Sequence, residues 1–176
     1  MNHGRKLYLY IATSLDGYIA TLDDSLEWLF KVEGEGDNGY SEFFNTIDTV
    51  LMGRKTYDWI IKNDVGEFPY KNKPCYVFSK TLTGKNDHVE FINEDITSFT
   101  KRLKSTTGGN IWIVGGGELL HHFIKNYLVD EFIITIAPTI IGKGIPLFNE
   151  LDTEVKLKLR NIRRFNQFVE LHYELI

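Results

Sequence analysis

Apolar residues along the chain form short runs of strand length, separated by stretches in which apolar positions recur at helical spacing. The runs typical of buried strands lie at residues 6–14, 49–52, 75–79, 89–92, 111–114 and 132–137. The segments with helical spacing lie at residues 40–46, 56–61, 95–104 and 119–127. Residues 155–159 and 169–175 instead alternate apolar and polar side chains around a bend near Asn166, which predicts a C-terminal antiparallel hairpin. This order predicts an α/β fold, with a mostly parallel sheet covered by helices on both faces and an antiparallel edge.

A glycine triplet lies between one of these strands and the helix that follows it. Gly115, Gly116 and Gly117 are placed where unpaired backbone N–H groups meet the positive end of a helix dipole. Glycine also lets a ligand approach the backbone closely, so we expect phosphate binding; the alternative is a tight turn without a ligand. The pattern departs from the common dinucleotide fingerprint G-x-G-x-x-G in two ways. Counted from Gly115, the place of its last glycine is taken by Leu120, and the next strand is followed by Pro138 rather than by an acid that could hold a ribose hydroxyl.

Two other predicted strand ends carry groups that suit phosphate. Residues 53–56 read GRKT at a strand-to-helix junction, and residues 79–80 read SK at the end of the next strand. Cations at a helix start oppose the helix dipole, so a bound anion would compensate them; the alternative is a solvated helix start. In open α/β sheets, ligands bind at the carboxyl ends of the strands. Three such ends predict a pyrophosphate and a third phosphate, which favours NADPH over NADH.

Composition excludes several classes of function. A chain of 176 residues is expected to form a single domain over residues 1–176. A net charge of −4 without a basic block argues against nucleic-acid binding. No apolar run is long enough for a membrane span, and the start of the chain enters a strand pattern with no signal-peptide cleavage site. Cys75 is the only cysteine, so neither a disulfide framework nor a cysteine-based zinc site is expected. We expect a cytoplasmic protein without a metal.

Several motifs together carry a family resemblance. They read ATSLDGYIA at 12–20, DTVLMGRKT at 48–56, VFSK at 77–80, VGGG at 114–117, VDE at 129–131, AP at 137–138 and GKG at 142–144. In combination they resemble the dihydrofolate reductase superfamily, and within it the stand-alone proteins similar to the reductase domain of the bifunctional riboflavin-biosynthesis deaminase-reductase. The resemblance covers nearly the whole chain. It implies a three-layer α/β/α fold with an eight-stranded sheet and NADPH across the strand ends.

The resemblance also implies which residues contact the cofactor. Ala12 and Ile19 would flank the nicotinamide. The phosphates and the ribose would be held by residues of the three strand ends, namely Gly53, Arg54, Lys55, Thr56, Ser79, Lys80, Val114, Gly115, Gly116, Gly117, Glu118 and Leu119. Among these, Ser79 and Lys80 would contact the 2′-phosphate.

The substrate side is less well defined by the resemblance. Dihydrofolate reductases place one acid before the second strand to help protonate the pterin ring. The family interval points to Asp37, and Glu42 is the other candidate; for both, the alternative is a solvated surface carboxylate. Thr135 aligns with a family threonine that hydrogen-bonds near the pterin, or it faces the core. Trp28 closes over the nicotinamide or simply packs.

The expected activity is NADPH-dependent hydride transfer to a C=N bond of a pyrimidine- or pteridine-like small molecule. We place 5-amino-6-(5-phosphoribosylamino)uracil reductase ahead of dihydrofolate reductase. However, the riboflavin-pathway reductases carry an Asn-Pro-Arg loop that grips a ribose phosphate, and residues 59–73 lack it. The missing loop leaves the identity of the substrate open. A nucleotide-binding protein without turnover is the alternative from another class. We also expect a homodimer through the C-terminal hairpin, because its alternating strands need covering against open-edge pairing.

Overall fold

The computed structural model describes residues 4–63 and 66–176 of the chain. Eleven strands occur in these residues: β1 Leu7–Ser14, β2 Tyr18–Ala20, β3 Ile47–Gly53, β4 Cys75–Phe78, β5 Gly84–Lys85, β6 Glu90–Ile92, β7 Asn110–Gly115, β8 Glu131–Ala137, β9 Ile145–Pro146, β10 Leu157–Phe165 and β11 Phe168–Leu175. Five helices occur in the same residues: α1 Glu27–Phe30, α2 Tyr40–Asn45, α3 Arg54–Asn63, α4 Ile96–Lys104 and α5 Gly117–Lys125. None of these helices is long and apolar enough to cross a membrane.

Nine of the strands form one sheet in the order β10-β11-β8-β1-β7-β3-β4-β6-β5. The pairs from β8 through β6 are parallel, whereas β11 joins β8, and β10 joins β11, in antiparallel pairing. The mostly parallel sheet with a C-terminal antiparallel hairpin is confirmed, and all eight expected strands are present. The ninth strand, β5, is a two-residue addition at the edge. It has no apolar pattern to signal it, and its Gly84 takes a φ of +91°.

Apolar side chains cover both faces of this sheet. On one face, α4 and α5 contribute Phe99 and Phe123 to a core that includes Leu9 of β1. On the other face, α2 and α3 contribute Phe43 and Tyr57 to a second core. Burying a side chain of this size stabilises the fold by about 1.5–3 kcal/mol. The three-layer α/β/α arrangement predicted from the hydrophobic pattern is confirmed.

The C-terminal hairpin sits differently from the prediction. Its strands pair as Phe165 with Phe168 around a turn in which Asn166 takes a φ of +53°. Strand β11 also pairs with β8 along its length, beginning with Val169 opposite Ile136. The expectation that both hairpin strands need covering at an open edge is therefore wrong for β11, which has a neighbour on each side. Only β10 lies at that edge of the sheet.

Two helix starts follow directly from the sequence. Asp95 is the N-cap of α4, and its carboxylate accepts the Ser98 N–H at 2.7 Å. That bond lowers the pKa of Asp95. Helix α5 begins within the glycine triplet, with Gly116 as its N-cap and Leu120 N–H donating to the Gly116 carbonyl at 2.9 Å. The glycine triplet is thus a strand-to-helix turn, as predicted.

Candidate functional site

The three turns that were expected to bind phosphate lie side by side at the carboxyl edge of the sheet. Gly53 at the end of β3 pairs with Phe78 at the end of β4. On its other side, β3 pairs Met52 with Gly115 at the end of β7. Because neighbouring strands lie about 4.8 Å apart, these ends form one continuous surface. We call this surface, made of residues 53–56, 79–80 and 114–119, the cradle.

A hydrogen bond joins two of the three turns of the cradle. Gly116 N–H donates to Thr56 Oγ1 at 2.9 Å. A Cβ added at Gly116 would lie only 3.4 Å from that oxygen, so a side chain there would press against Thr56. Gly115 takes a φ of +143°, a conformation that favours glycine. The fold itself therefore favours glycine at both positions, independently of any ligand.

The first turn of α5 supplies the groups that suit a phosphate. The amides of Gly117, Glu118 and Leu119 are first-turn N–H groups, which have no acceptor within their own helix. Leu119 is buried, so it can offer a ligand only its backbone amide, whereas Glu118 is exposed. A helix start of this kind attracts anions.

The positive charge at the start of α3 is partly balanced by neighbouring protein groups. Arg54 Nε donates to Asp58 Oδ1 at 2.6 Å, and the guanidinium lies 5.8 Å from the centre of the Phe91 ring. Asp58 and Phe91 therefore balance part of the Arg54 charge, and a bound anion is less needed at this helix start than the sequence suggested. Lys55, by contrast, is exposed on the same turn. Of the two cations, Lys55 is the one less constrained by its neighbours in the fold.

The two predicted phosphate ligands in the turn after β4 differ in exposure: Ser79 is buried and Lys80 is exposed. Ser79 is buried, and its Oγ accepts the N–H groups of Leu82 at 3.0 Å and Thr81 at 3.3 Å. Its hydroxyl oxygen therefore shapes the turn. Lys80 is exposed at the start of the same turn, where a flexible ammonium can reach a phosphate.

A two-stranded ribbon of β2 and β9 borders the cradle. Ala20 of β2 pairs with Ile145 of β9. A Cβ on Gly117 would lie 3.4 Å from Ile145 Cγ2, so the ribbon packs against the start of α5. Ile19, which was expected to flank the nicotinamide, belongs to this ribbon and packs against the core. Ala12, its predicted counterpart, is half-buried in β1 near the same edge of the sheet.

An open groove of about 510 Å³ lies beside the ribbon. It is lined by Thr21, Asp23, Ser25, Glu27, Trp28, Lys31, Val32 and Thr139. Its volume is within the range of small-molecule sites. The Trp28 Nε1 atom is buried and has no hydrogen-bond partner in residues 4–63 and 66–176. Trp28 therefore lines the groove with a hydrogen-bond donor that is unused among those residues.

The two predicted acids on the substrate side already have protein partners. Asp37 is exposed, and its carboxylate accepts the N–H groups of Ser41 at 2.8 Å and Gly39 at 3.1 Å. Hydrogen bonding to Ser41 lowers the pKa of Asp37, which favours the ionised carboxylate over the protonated form that could donate a proton. Glu42 is exposed and pairs with Arg163 Nη1 at 2.7 Å. A catalytic role for either acid stays an untested prediction, and the geometry favours structural roles.

Thr135 lies between Ala12 and Glu170 on adjacent strands, and of these three residues the sequence did not point to Glu170. It is buried in β8, directly opposite Ala12 of β1 on one side and Glu170 of β11 on the other. Glu170 was missed because it alternates with apolar residues and so resembled a solvent-facing position. In the fold Glu170 is 3% exposed and the adjacent Val169 is 40% exposed. The available signal was Arg163, which the hairpin turn places directly opposite Glu170.

Comparisons of the sequence with known proteins relate this chain to one family. The family model described as the RibD C-terminal domain matches residues 5–171. The chain is 54% identical over 170 residues to the uncharacterized protein YwjB of Bacillus subtilis (strain 168), a match that covers 96% of this chain and 97% of that protein. A shorter match, 37% identical over 82 residues, is to the 5-amino-6-(5-phosphoribosylamino)uracil reductase of Buchnera aphidicola subsp. Acyrthosiphon pisum (strain APS). It covers 46% of this chain and 37% of the reductase.

Solved structures show the same likeness at the level of the fold. A putative riboflavin biosynthesis protein from Shewanella sp. PV-4 superposes with a TM-score of 0.87 and 30% identity, covering 97% of this chain and 99% of the other. The dihydrofolate reductase of Enterococcus faecalis, solved with NADP(H), superposes with a TM-score of 0.65 and 15% identity. That match covers 97% of this chain and 96% of the reductase, and it bears on the fold alone. The chain therefore belongs to the RibD C-terminal domain family and has a dihydrofolate reductase-like fold.

Proposed function

We propose that this protein is an NADPH-dependent reductase that transfers a hydride to a C=N or C=O carbon of a pyrimidine-type small molecule. The observation that carries the proposal is the cradle. Its turns after β3 and β7 are joined by the bond between Gly116 N–H and Thr56 Oγ1, and its third turn, after β4, adjoins β3. Adjacent turns of this kind suit one extended anion with several phosphates better than they suit separate ions.

Different residues of the cradle would bind different phosphate groups of the cofactor. The amides of Gly117, Glu118 and Leu119 would hold the pyrophosphate, and the exposed Lys80 would pair with the 2′-phosphate. Ala12 and Ile19 would border the nicotinamide, which supplies the hydride when the cofactor is bound. The chain's own contribution is to fix the cofactor and substrate next to each other and to limit access of water.

A uracil-type substrate is favoured over dihydrofolate. The Buchnera protein that shares 37% identity over 82 residues with this chain is named as a 5-amino-6-(5-phosphoribosylamino)uracil reductase. The likeness to dihydrofolate reductase is one of fold, at 15% identity. Dihydrofolate reduction is therefore the alternative activity. A protein that binds NADPH without turnover is the alternative from another class, since the chain lacks the Asn-Pro-Arg loop of the riboflavin-pathway enzymes.

The test is to follow NADPH oxidation by absorbance with each candidate substrate. We expect oxidation with 5-amino-6-(5-phosphoribosylamino)uracil and little with dihydrofolate. Faster oxidation with dihydrofolate would favour the alternative activity. Saturable NADPH binding without oxidation of either compound would favour the non-catalytic protein. Absence of NADPH binding would contradict the proposal as a whole.

The hairpin supports a proposal about assembly. Leu159, Ile162 and Val169 are exposed apolar residues of β10 and β11, and the strand register puts all of them on one face. We propose that a second copy of the chain covers this face in a homodimer that works in the cytoplasm with a small-molecule substrate. Sedimentation at micromolar concentration should give a dimer. A single monomer species would contradict this part of the proposal.

A further inference from the structure

Glu170 is a buried carboxylate whose two oxygens differ in their hydrogen bonding. The side chain is 3% exposed, and its Oε1 accepts a hydrogen bond from Arg163 Nε at 2.7 Å. Its Oε2 is fully buried and has no hydrogen-bond partner within the part of the chain that the structure describes. Leaving a charged, buried oxygen without a partner costs free energy. The position therefore suggests that Oε2 receives a partner from outside the chain.

A second buried acid in the same sheet has protein partners for both of its oxygens. Glu131 of β8 is 4% exposed. Its Oε1 accepts from Lys6 Nζ at 2.5 Å, and its Oε2 lies 2.8 Å from His172 Nε2. Both oxygens of Glu131 are thus satisfied by the protein. Glu170 differs from Glu131 in its partners and not in its burial.

The strand register places Glu170 on the substrate side of the proposed site. Ala12, Thr135 and Glu170 lie directly opposite one another on three adjacent strands, and residues paired in this way share one face of the sheet. With strands spaced about 4.8 Å apart, the backbone of Glu170 lies about 10 Å from that of Ala12. The small side chain of Thr135 lies between them. A planar ring lying over Thr135 would reach from Glu170 towards Ala12.

The surroundings of Glu170 suit a flat ligand. Tyr10 lies on the same face of the sheet, and its ring stacks on Phe43 of α2 at a centroid distance of 4.0 Å. Burial, followed by the negative charge of Glu170, raises the pKa of Tyr10, so that its hydroxyl keeps its proton. Aromatic walls with one charged acceptor recognise planar molecules that carry N–H groups.

We propose that Glu170 Oε2 accepts a hydrogen bond from the N–H edge of a planar nitrogen heterocycle, the substrate of the reductase proposed above. This inference rests on that proposed function. A carboxylate paired with a guanidinium offers acceptor lone pairs only, so it selects N–H donors and disfavours a carbonyl edge. The ligand class is an aminopyrimidine or a pyrimidinedione with a free ring N–H. Arg163 acts as a positioning residue, because it holds Oε1 and so directs Oε2.

The ligand can reach Glu170 if the start of α2 moves away from the hairpin. Arg163 packs against this helix start, since a Cβ on Gly39 would lie 3.0 Å from Arg163 Nη2. The pair between Glu42 and Arg163 also links the two elements, and the Glu42 side chain is 74% exposed. An exposed ion pair stabilises a contact only weakly, so the residues around Gly39 can move while Phe43, later in α2, stays stacked on Tyr10.

The test compares Glu170→Gln with Glu131→Gln, which replaces the fully partnered acid in the neighbouring strand. The probe is 5,6-diaminouracil, titrated into NADPH-saturated protein by calorimetry. We expect Glu170→Gln to weaken probe binding by roughly 10-fold to 100-fold, the effect of losing a hydrogen bond to a charged group. We expect Glu131→Gln to bind the probe within a factor of about two of wild type, and both variants to keep NADPH affinity.

A second measurement uses the unmutated protein, in case Glu170→Gln does not fold. The ring-N-methylated analogues of 5,6-diaminouracil remove one N–H donor at a time, and at least one of them should lose binding by a similar factor. Equal binding of the probe by wild type and Glu170→Gln overturns the inference. So does wild-type protein that binds NADPH but not the probe. Failure of wild type to bind NADPH instead contradicts the proposed function, and with it the inference that rests on it.

Discussion

Thr56 and Gly116 lie 60 residues apart in the chain, yet the Gly116 N–H donates to Thr56 Oγ1 at 2.9 Å. This bond holds the turn after β3 against the turn after β7. Strand pairing between Met52 and Gly115 brings the two turns together, and the hydrogen bond fixes their relative position. In our account these turns bind opposite sides of one cofactor, so their spacing determines how well they can act together.

Thr56→Val should weaken NADPH binding. Valine keeps the shape of threonine but removes the acceptor, so the Gly116 N–H loses its partner. Loss of a hydrogen-bond partner costs about 1–3 kcal/mol, which corresponds to roughly 5-fold to 150-fold in affinity when the cost falls on the bound state. Titration of NADPH fluorescence measures the change.

Thr97→Val is the matched control for this variant. The Thr97 hydroxyl also makes one side-chain contact, at 3.1 Å from His122 Nε2, but the pair joins α4 to α5 away from the cradle. We expect this variant to lose some thermal stability and to keep its NADPH affinity. If both threonine variants weakened NADPH equally, the effect of Thr56→Val could not be attributed to the cradle.

Lys80→Ala should change the choice of cofactor. The exposed ammonium of Lys80 can reach a 2′-phosphate, whereas Ser79 is buried and its hydroxyl oxygen accepts two backbone N–H groups. Loss of one charge-assisted bond should weaken NADPH by about 1–3 kcal/mol and leave NADH nearly unchanged. Binding constants for both cofactors are needed. Lys85→Ala, which removes a lysine paired with Glu90, is the control. Equal losses for NADPH and NADH would show that Lys80 does not discriminate between them.

Asp16→Asn should release the loop after β8. The Asp16 carboxylate accepts from Ser14 Oγ at 2.6 Å and from the Gly142 N–H at 2.8 Å. Hydrogen bonding to Ser14 and then to the loop lowers the pKa of Asp16 below its ordinary value of 3.8. Because the folded pKa is lowered, the stabilisation is present above the ordinary pKa and is lost as the pH falls through the lowered value.

Urea unfolding measures this pH dependence for Asp16→Asn. The variant should be less stable than wild type at neutral pH, and the difference should shrink once the pH drops below 3.8. Hydrogen exchange should be faster at the Gly142 amide. In the control Asp23→Asn, which loses a bond to Thr21 within its own loop, exchange at Gly142 should be unchanged. A stability difference that grows towards low pH would contradict the assignment.

Cys75 should be unreactive in the native protein. It is buried at the start of β4, and burial raises the pKa of its thiol to about 12, an effect that nearby Lys73 partly offsets. The thiolate is the reactive form, so alkylation by iodoacetamide should be slow until the protein is unfolded. Mass spectrometry counts the single label, because the chain has one cysteine. Rapid labelling of the folded protein would show that β4 is more accessible than the structure indicates.

The fold was predictable because each long element carries its own signal. The apolar runs at β1, β3, β7 and β8 indicated strands buried on both faces, and the spacing of Leu120, Phe123 and Ile124 indicated the buried side of α5. The short strand β5 was not predictable, since its two residues have no hydrophobic period. The position of β11 between β10 and β8 was also missed, because strand order depends on contacts distant in sequence.

The cradle was predictable from strand ends, but the acids of the substrate side were not. Asp37 was chosen by the family interval and Glu42 as the other nearby acid, and neither choice used information about hydrogen-bond partners. In the fold the Asp37 carboxylate accepts the Ser41 N–H, and Glu42 pairs with Arg163. Glu170 was passed over because an acid in an alternating strand normally faces water. Its burial depends on the second neighbour of β11, which local sequence cannot reveal.

The most direct test of the account is a titration of isotopically labelled protein with NADPH, followed by the amide resonances of the glycines in the cradle. If the turns after β3 and β7 bind one cofactor, the Gly53, Gly115, Gly116 and Gly117 signals should all shift, with a single dissociation constant. The Lys80 amide should shift with them for NADPH and less for NADH. Resonances that do not move at saturating NADPH, or that move with unrelated dissociation constants, would contradict the central claim that these turns form one binding site.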